Sequence, residues 1–145
     1  SKTERAAEFG AAYVDAAASA GRTYALGQNQ ALVRWGQMAE TEEEARRMVA
    51  EYDVDIFQDL YAGTTPMKFD PANGVDSVTN SGLGVAGTPD QVRAQYVELW
   101  RQLPAEYVVL IYHWAQQPAE SVVRQLELFM EDVKPALDEM TPYEG

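Results

Sequence analysis

Tyr112-His113-Trp114-Ala115-Gln116-Gln117-Pro118 sets the chain's one histidine between two aromatic rings, just ahead of two amides. Imidazole both donates and accepts hydrogen bonds, and indole offers a broad apolar face with one donor. The group therefore suits a flat, partly polar ligand. It follows directly on the apolar run that begins at Tyr107, and in parallel α/β proteins the loop leaving the C-terminal end of a strand lies on the ligand-binding side. The competing assignment is packing, with Tyr112 and Trp114 filling an interface and His113 bonded to a backbone carbonyl. Both stand open at this point.

Three other groups invite chemistry. Arg34 and Trp35 are adjacent inside a predicted strand, so alternation sends one to each face. A charged residue in a covered strand needs partners, and Arg34 is expected either to pair with an acidic neighbour or to shape a polar pocket. Gly82-Leu83-Gly84-Val85-Ala86-Gly87 has the spacing G-x-G-x-x-G ahead of a helix, where backbone N–H groups can cradle phosphate. The preceding Asp76 to Ser81 makes a poor strand, however, and no acidic residue stands where a ribose would need one. A flexible loop ending in a helix cap is the better reading. Glu42, Glu43 and Glu44 point in different directions around a helix and suit its positive N-terminal end, which marks them as solvated rather than metal-binding.

The elements that must position these groups follow from periodicity. Thr3 to Ala20 is alanine-rich, carries Phe9, Tyr13, Ala16 and Ala17 at helical spacing, and meets Gly21 as a left-handed cap, predicting a helix packed on a sheet. Ala31 to Ala39 reads as a strand. Thr41 and Glu44 form a capping pattern, after which Ala45, Met48, Val49, Tyr52, Ile56 and Leu60 trace one helical stripe to about Gly63. Residues 63–87 read as a long surface connection. Thr88, Pro89 and Gln91 open another helix, with Val92, Tyr96, Leu99, Trp100 and Leu103 on its apolar face and Pro104 ending it. Tyr107 to Tyr112 is apolar throughout, as expected of a strand covered on both faces. A last helix carries Val122, Val123, Leu126, Phe129, Met130, Val133 and Leu137 on its buried side and runs into Pro135. Two strands separated by helices pair in parallel through right-handed crossovers, and both outer edges are then open. Other strands, from the same protein or from another subunit, are expected to cover them.

Composition narrows the function. With 11 basic against 23 acidic side chains, the net charge of −12 disfavours nucleic acid and anionic membranes as partners. The absence of cysteine removes disulfides, thiolate nucleophiles and Cys-based zinc sites, and one histidine removes a His-rich metal cluster. A reducing cytoplasm is the expected setting. The chain opens at Ser1 without a Met, as a processed or partial chain would.

Taken in order, Ala31-Leu32-Val33-Arg34-Trp35, Ala39-Glu40-Thr41-Glu42-Glu43-Glu44-Ala45-Arg46, Val85-Ala86-Gly87-Thr88-Pro89-Asp90-Gln91-Val92 and Leu126-Glu127-Leu128-Phe129 to Val133-Lys134-Pro135-Ala136-Leu137 resemble the C-terminal region of luciferase-like flavin-dependent monooxygenases. The resemblance spans nearly the whole chain. It implies an α/β fold that is the C-terminal portion of a (β/α)8 TIM-type barrel, contributing two parallel strands with flanking helices. It also implies reduced FMN, or in one branch F420, acting with O2 on a small organic substrate such as an aldehyde, alkane, sulfonate or ketone. A separate flavin reductase and a homo-oligomeric assembly are the implied partners. Catalytic residues and the grip on the flavin phosphate are implied to lie on earlier strands, leaving this segment inactive alone. Tyr112, His113 and Trp114, with Arg34 and Trp35, are the residues expected to border the substrate and flavin pocket. A reading of a different class is a non-catalytic acidic α/β module that pairs with another chain through its sheet edge.

Overall fold

The computed structural model describes residues 2–65, 67–112 and 117–143. Its first helix, α1 (Lys2–Ser19), ends where the sequence places the glycine: Gly21 takes φ +75°, and the Arg22 and Gly21 amides close back on the Ala17 and Ala18 carbonyls at 2.9 and 3.0 Å. That is the left-handed termination glycine permits without steric cost. The expected packing face is corrected. Phe9 and Tyr13 are exposed, whereas Gly10 is buried, an added Cβ there meeting Leu103 and Gln30, because the absence of a side chain lets α1 approach closely.

Strand β1 (Ala31–Met38) leads to α2 (Glu42–Tyr52), whose N-terminus is capped by the Thr41 hydroxyl accepting from the Glu44 amide at 3.2 Å. The single helix expected up to Gly63 is instead interrupted at Asp53. It resumes as short turns, α3 (Val54–Ile56) and α4 (Ala62–Thr64), on either side of a π-helical stretch, Phe57–Tyr61. A second correction concerns residues 63–87, which are not one long loop. They hold a 3-10 turn (Pro71–Asn73), helix α5 (Gly74–Thr79) and a third strand, β2 (Gly84–Gly87). Gly-Val-Ala-Gly has little strand propensity of its own. Pairing with β1 supplies what propensity lacks, through register Trp35 to Gly84 and onward to Met38 with Gly87.

Helix α6 (Pro89–Gln102) opens with the reciprocal capping box the sequence predicts: the Gln91 amide donates to the Thr88 hydroxyl, and the Thr88 amide donates to the Gln91 side chain at 2.9 Å. Thr88→Ala is expected to cost about 1 kcal/mol; a denaturant midpoint unchanged from wild type would contradict this. After β3 (Tyr107–Ile111), α7 (Ala119–Leu128) passes through a π-helical stretch, Phe129–Val133, into α8 (Lys134–Met140). Pro135 has no N–H, and its ring would crowd the carbonyl four residues back. The widened turn just before it lets the helix continue instead of ending. No helix among the described residues is long and apolar enough to cross a membrane.

The three strands are parallel in the order β2-β1-β3, so the chain steps from β1 out to β2 and then back across to β3. Right-handed crossovers in opposite directions put helices on opposite faces. The cores agree. Leu32, Met38 and Val85 pack against Val92, Tyr96 and Leu99 of α6 and against Leu128, Phe129 and Val133. On the other face Trp35 packs with Val49, Phe57, Met67 and Val78. The outer strand β3 is not covered on both faces as its composition suggests, since Tyr107 and Val109 stand 56% and 46% exposed. Val123, Leu126 and Met130, expected to be buried, are exposed as well. Leu126 and Met130 line a cavity beside Val108 and Leu110 of this open edge.

Candidate functional site

Strand order locates the site before any side chain is considered. Chains leaving β1 and β3 at their C-terminal ends turn to opposite faces of the sheet, and such a switch point opens a crevice between them. A cavity of about 360 Å³ lies there, bounded by Met38 and Ala39 at the end of β1, by Ser121, Gln125 and Leu128 of α7, and by Met48 of α2.

Two polar side chains on its lining have unused hydrogen-bonding capacity. Gln125 is 1% exposed; its Oε1 accepts from the Met38 amide at 2.6 Å, while its Nε2 is buried without a partner. The Ser121 hydroxyl accepts from Gln117 Nε2 at 3.1 Å, which leaves its hydrogen to donate. Behind Ser121 runs a buried polar chain. Gln117 Nε2 also donates to Gln37 Oε1 at 3.1 Å, and Gln37 Nε2 donates to Gln117 Oε1 and to Asp53 Oδ1 at 3.4 and 3.3 Å. Burial pushes the Asp53 carboxyl up to about 7, against the pull of the Gln37 hydrogen bond. Amides do not titrate near neutral pH, so this chain orients Gln117 and Ser121 and carries no proton between them. Toward the mouth, Glu40 and Glu44 also line the cavity, and Arg124 is held by Glu40 at 3.2 Å.

The residues singled out in the sequence are distributed unevenly around this crevice. Tyr112 is buried at the end of β3 and lies over Gly36, where an added Cβ would stand 3.3 Å from its ring. Burial raises its hydroxyl pKa. His113 and Trp114 lie outside the described residues. Arg34 and Trp35 do take opposite faces but not the strand ends. Trp35 makes edge contacts with Phe57 and Tyr61, ring centroids 5.6 and 5.0 Å away, inside the core under α2–α5. Arg34 faces the α6 side, near Tyr96, and no carboxylate among the described residues pairs with it. This overturns the expected acidic partner, because its Nη1 donates to the Val33 carbonyl at 2.8 Å instead. In the glycine run, Gly84 sits where a Cβ would fall 2.9 Å from the Val78 carbonyl oxygen, so close helix packing accounts for it. Gln37, Asp53, Ser121 and Gln125 were not singled out. Their one sequence signal is a polar residue at a position whose periodicity is that of the core.

No family model and no curated protein matches this sequence. Solved structures do match. The chain aligns over 93% of its length, with 21% identity and a TM-score of 0.75, to 39% of the monooxygenase RslO1 from Streptomyces bottropensis. It aligns over 85%, with 25% identity and a TM-score of 0.61, to 37% of the oxygenating constituent of 3,6-diketocamphane monooxygenase from the CAM plasmid of Pseudomonas putida. That protein is a Type II Baeyer-Villiger monooxygenase and was solved with FMN. The chain thus spans about two-fifths of the length of either structure. Both structural neighbours are monooxygenases and one of them holds FMN, in keeping with the luciferase-like resemblance of the sequence blocks.

Proposed function

We propose that this chain forms part of an FMN-dependent monooxygenase that acts with O2 on a small organic substrate, and that its strand ends form one wall of the pocket. The observation that carries the reading is the structural match over 93% of the chain to a monooxygenase, joined by a second neighbour that holds FMN. A separate reductase as the source of reduced flavin, and assembly with further strands at the open edges of β3 and β2, belong to the same proposal. A barrel of consecutive strands carries its helices on the outer face alone. Here α2–α5 cover the Trp35 face too, so barrel closure is the part of the reading that an experimental structure of the whole protein tests.

The residues present fit one portion of such a cofactor. Ser121 and Gln125 offer donors to a carbonyl of a flat ring or of a substrate, whereas Glu40 and Glu44 on the lining repel a phosphate and Arg124 is already paired. The phosphate grip accordingly falls to other parts of the protein. Reduced flavin, when bound, supplies the electrons for oxygen insertion. The work of this chain is positional: Ser121 and Gln125 orient an acceptor, and Met38, Met48 and Leu128 exclude water, while the family resemblance assigns Tyr112, His113 and Trp114 to the same pocket.

Titration of the purified protein with reduced FMN under anaerobic conditions is expected to saturate at one flavin per subunit; an intact, folded protein that takes up no flavin sinks the proposal and favours the acidic binding module. Ser121→Ala is expected to lower kcat/KM roughly tenfold, the worth of one neutral hydrogen bond, with the melting temperature nearly unchanged. His113→Ala and Trp114→Ala are expected to behave likewise. Normal kinetics with lost stability would reassign all three to the core.

A further inference from the structure

Arg34 has a second peculiarity besides its missing acid. It is 6% exposed on the central strand, and its Nε is buried with no partner. Burying a guanidinium without a counter-charge is among the most expensive arrangements a fold can hold. Scarcity of acid does not explain it, since the chain has 23 acidic side chains against 11 basic ones. Arg46, Arg47, Arg93, Arg101, Arg124 and Lys134 all lie against carboxylates. Arg34, the most deeply buried cation among the described residues, has no such partner.

Arg34 lines a cavity of about 320 Å³ formed where the N-terminal part of α1 crosses the segment leading into β2. Arg5 stands on the same lining, its guanidinium 5.5 Å from the centre of the Phe9 ring. Among the described residues, no acidic one lines this space. Phe9, Met67 and Leu83 make its other walls apolar. The volume is at the small end of ligand sites, below what a nucleotide fills. The Leu83 and Gly84 amides at this segment are spoken for, both donating to the Ser81 hydroxyl at 2.9 and 3.2 Å. A phosphate, which takes several donors at once, is therefore poorly served. A carboxylate asks only for a planar fork, which guanidinium provides, and an apolar body attached to it would match the walls.

We propose that Arg34 and Arg5 hold a small organic carboxylate in this cavity, with its charge on the two guanidinium groups and its apolar body against Phe9, Met67 and Leu83. The carboxylate supplies the counter-charge that Arg34 lacks among the described residues.

Benzoate, benzyl alcohol and inorganic phosphate, titrated separately into the intact protein and followed by calorimetry and melting temperature, test the assignment. Benzoate is expected to bind and to raise the melting temperature, with benzyl alcohol and phosphate at least tenfold weaker. Arg34→Met is expected to weaken benzoate at least tenfold while leaving the unliganded protein as stable as wild type or more so. Should that variant fail to fold, Arg5→Glu decides, since it alters an exposed position and is expected to weaken benzoate at least tenfold. Absence of benzoate binding, phosphate binding as strong as benzoate, or benzoate binding that survives either folded variant unchanged overturns the proposal.

Discussion

Asp53→Asn is expected to raise the melting temperature by roughly 10 °C at pH 8 and to leave it nearly unchanged at pH 4. The Asp53 carboxyl titrates near 3.8 when free of the fold and near 7 within it, because burial in the Trp35 face penalises its charged form. Between those two values the folded protein holds a proton that the unfolded chain has released. Stability is therefore fully present below about pH 4, falls as pH rises toward 7, and stays low above it. A shift of this size corresponds to about 4 kcal/mol across the window. Asparagine is neutral throughout and keeps an oxygen to accept from Gln37, so the variant should lack the decline. Melting curves of the two proteins that run parallel from pH 4 to 8 would show that Asp53 reaches solvent in the native state.

A polypeptide of these 145 residues is expected to self-associate, and Val109→Lys combined with Met130→Lys is expected to weaken that association at least a hundredfold. Strand β3 pairs with β1 on one side only, so its outer N–H and C=O groups form a template for another strand. Val109 and Met130, at 46% and 54% exposed, add apolar surface on and beside that edge. Covering two such side chains contributes about 3 kcal/mol, from which the factor follows. Sedimentation of the wild-type polypeptide as a stable monomer at micromolar concentration would remove the basis for calling this edge unfinished.

Much of this architecture can be read from local chemistry. The glycine at 21, the Thr41 cap and the Thr88 capping box name their own structures, because each satisfies specific unpaired backbone groups. What escaped depends on partners distant in the sequence. Gly84-Val85-Ala86-Gly87 becomes a strand only because β1 offers it a ladder, and Pro135 stays inside a helix only because the preceding turn widens. The burial of β3 was misjudged for a related reason: composition reports what a strand is suited to contact, whereas β3 has a neighbour, β1, on one side only. Tyr112 stood out from its position at a strand end, where it is buried over Gly36 and not on the crevice lining. Gln37, Asp53 and Gln125 had no such flag, since one buried polar side chain in a hydrophobic period looks like noise until its partners converge on it.

The order of the strands also bears on how the sheet assembles. Both of its ladders join residues far apart in sequence, Trp35 with Gly84 and Ala31 with Tyr107, so neither forms before substantial chain entropy has been lost. The β1–β2 ladder encloses the shorter loop, and α2 and α5, which pack beside β2, lie within that loop. The β1–β3 ladder must enclose all of it and α6 besides. Amides in the middle of β1, protected from both sides, belong to the last unit to open in hydrogen exchange, whereas β3 can peel from the edge without disturbing the rest. On this topology the β1–β2 half-sheet is expected to assemble first and the outer strand β3 to dock on it late.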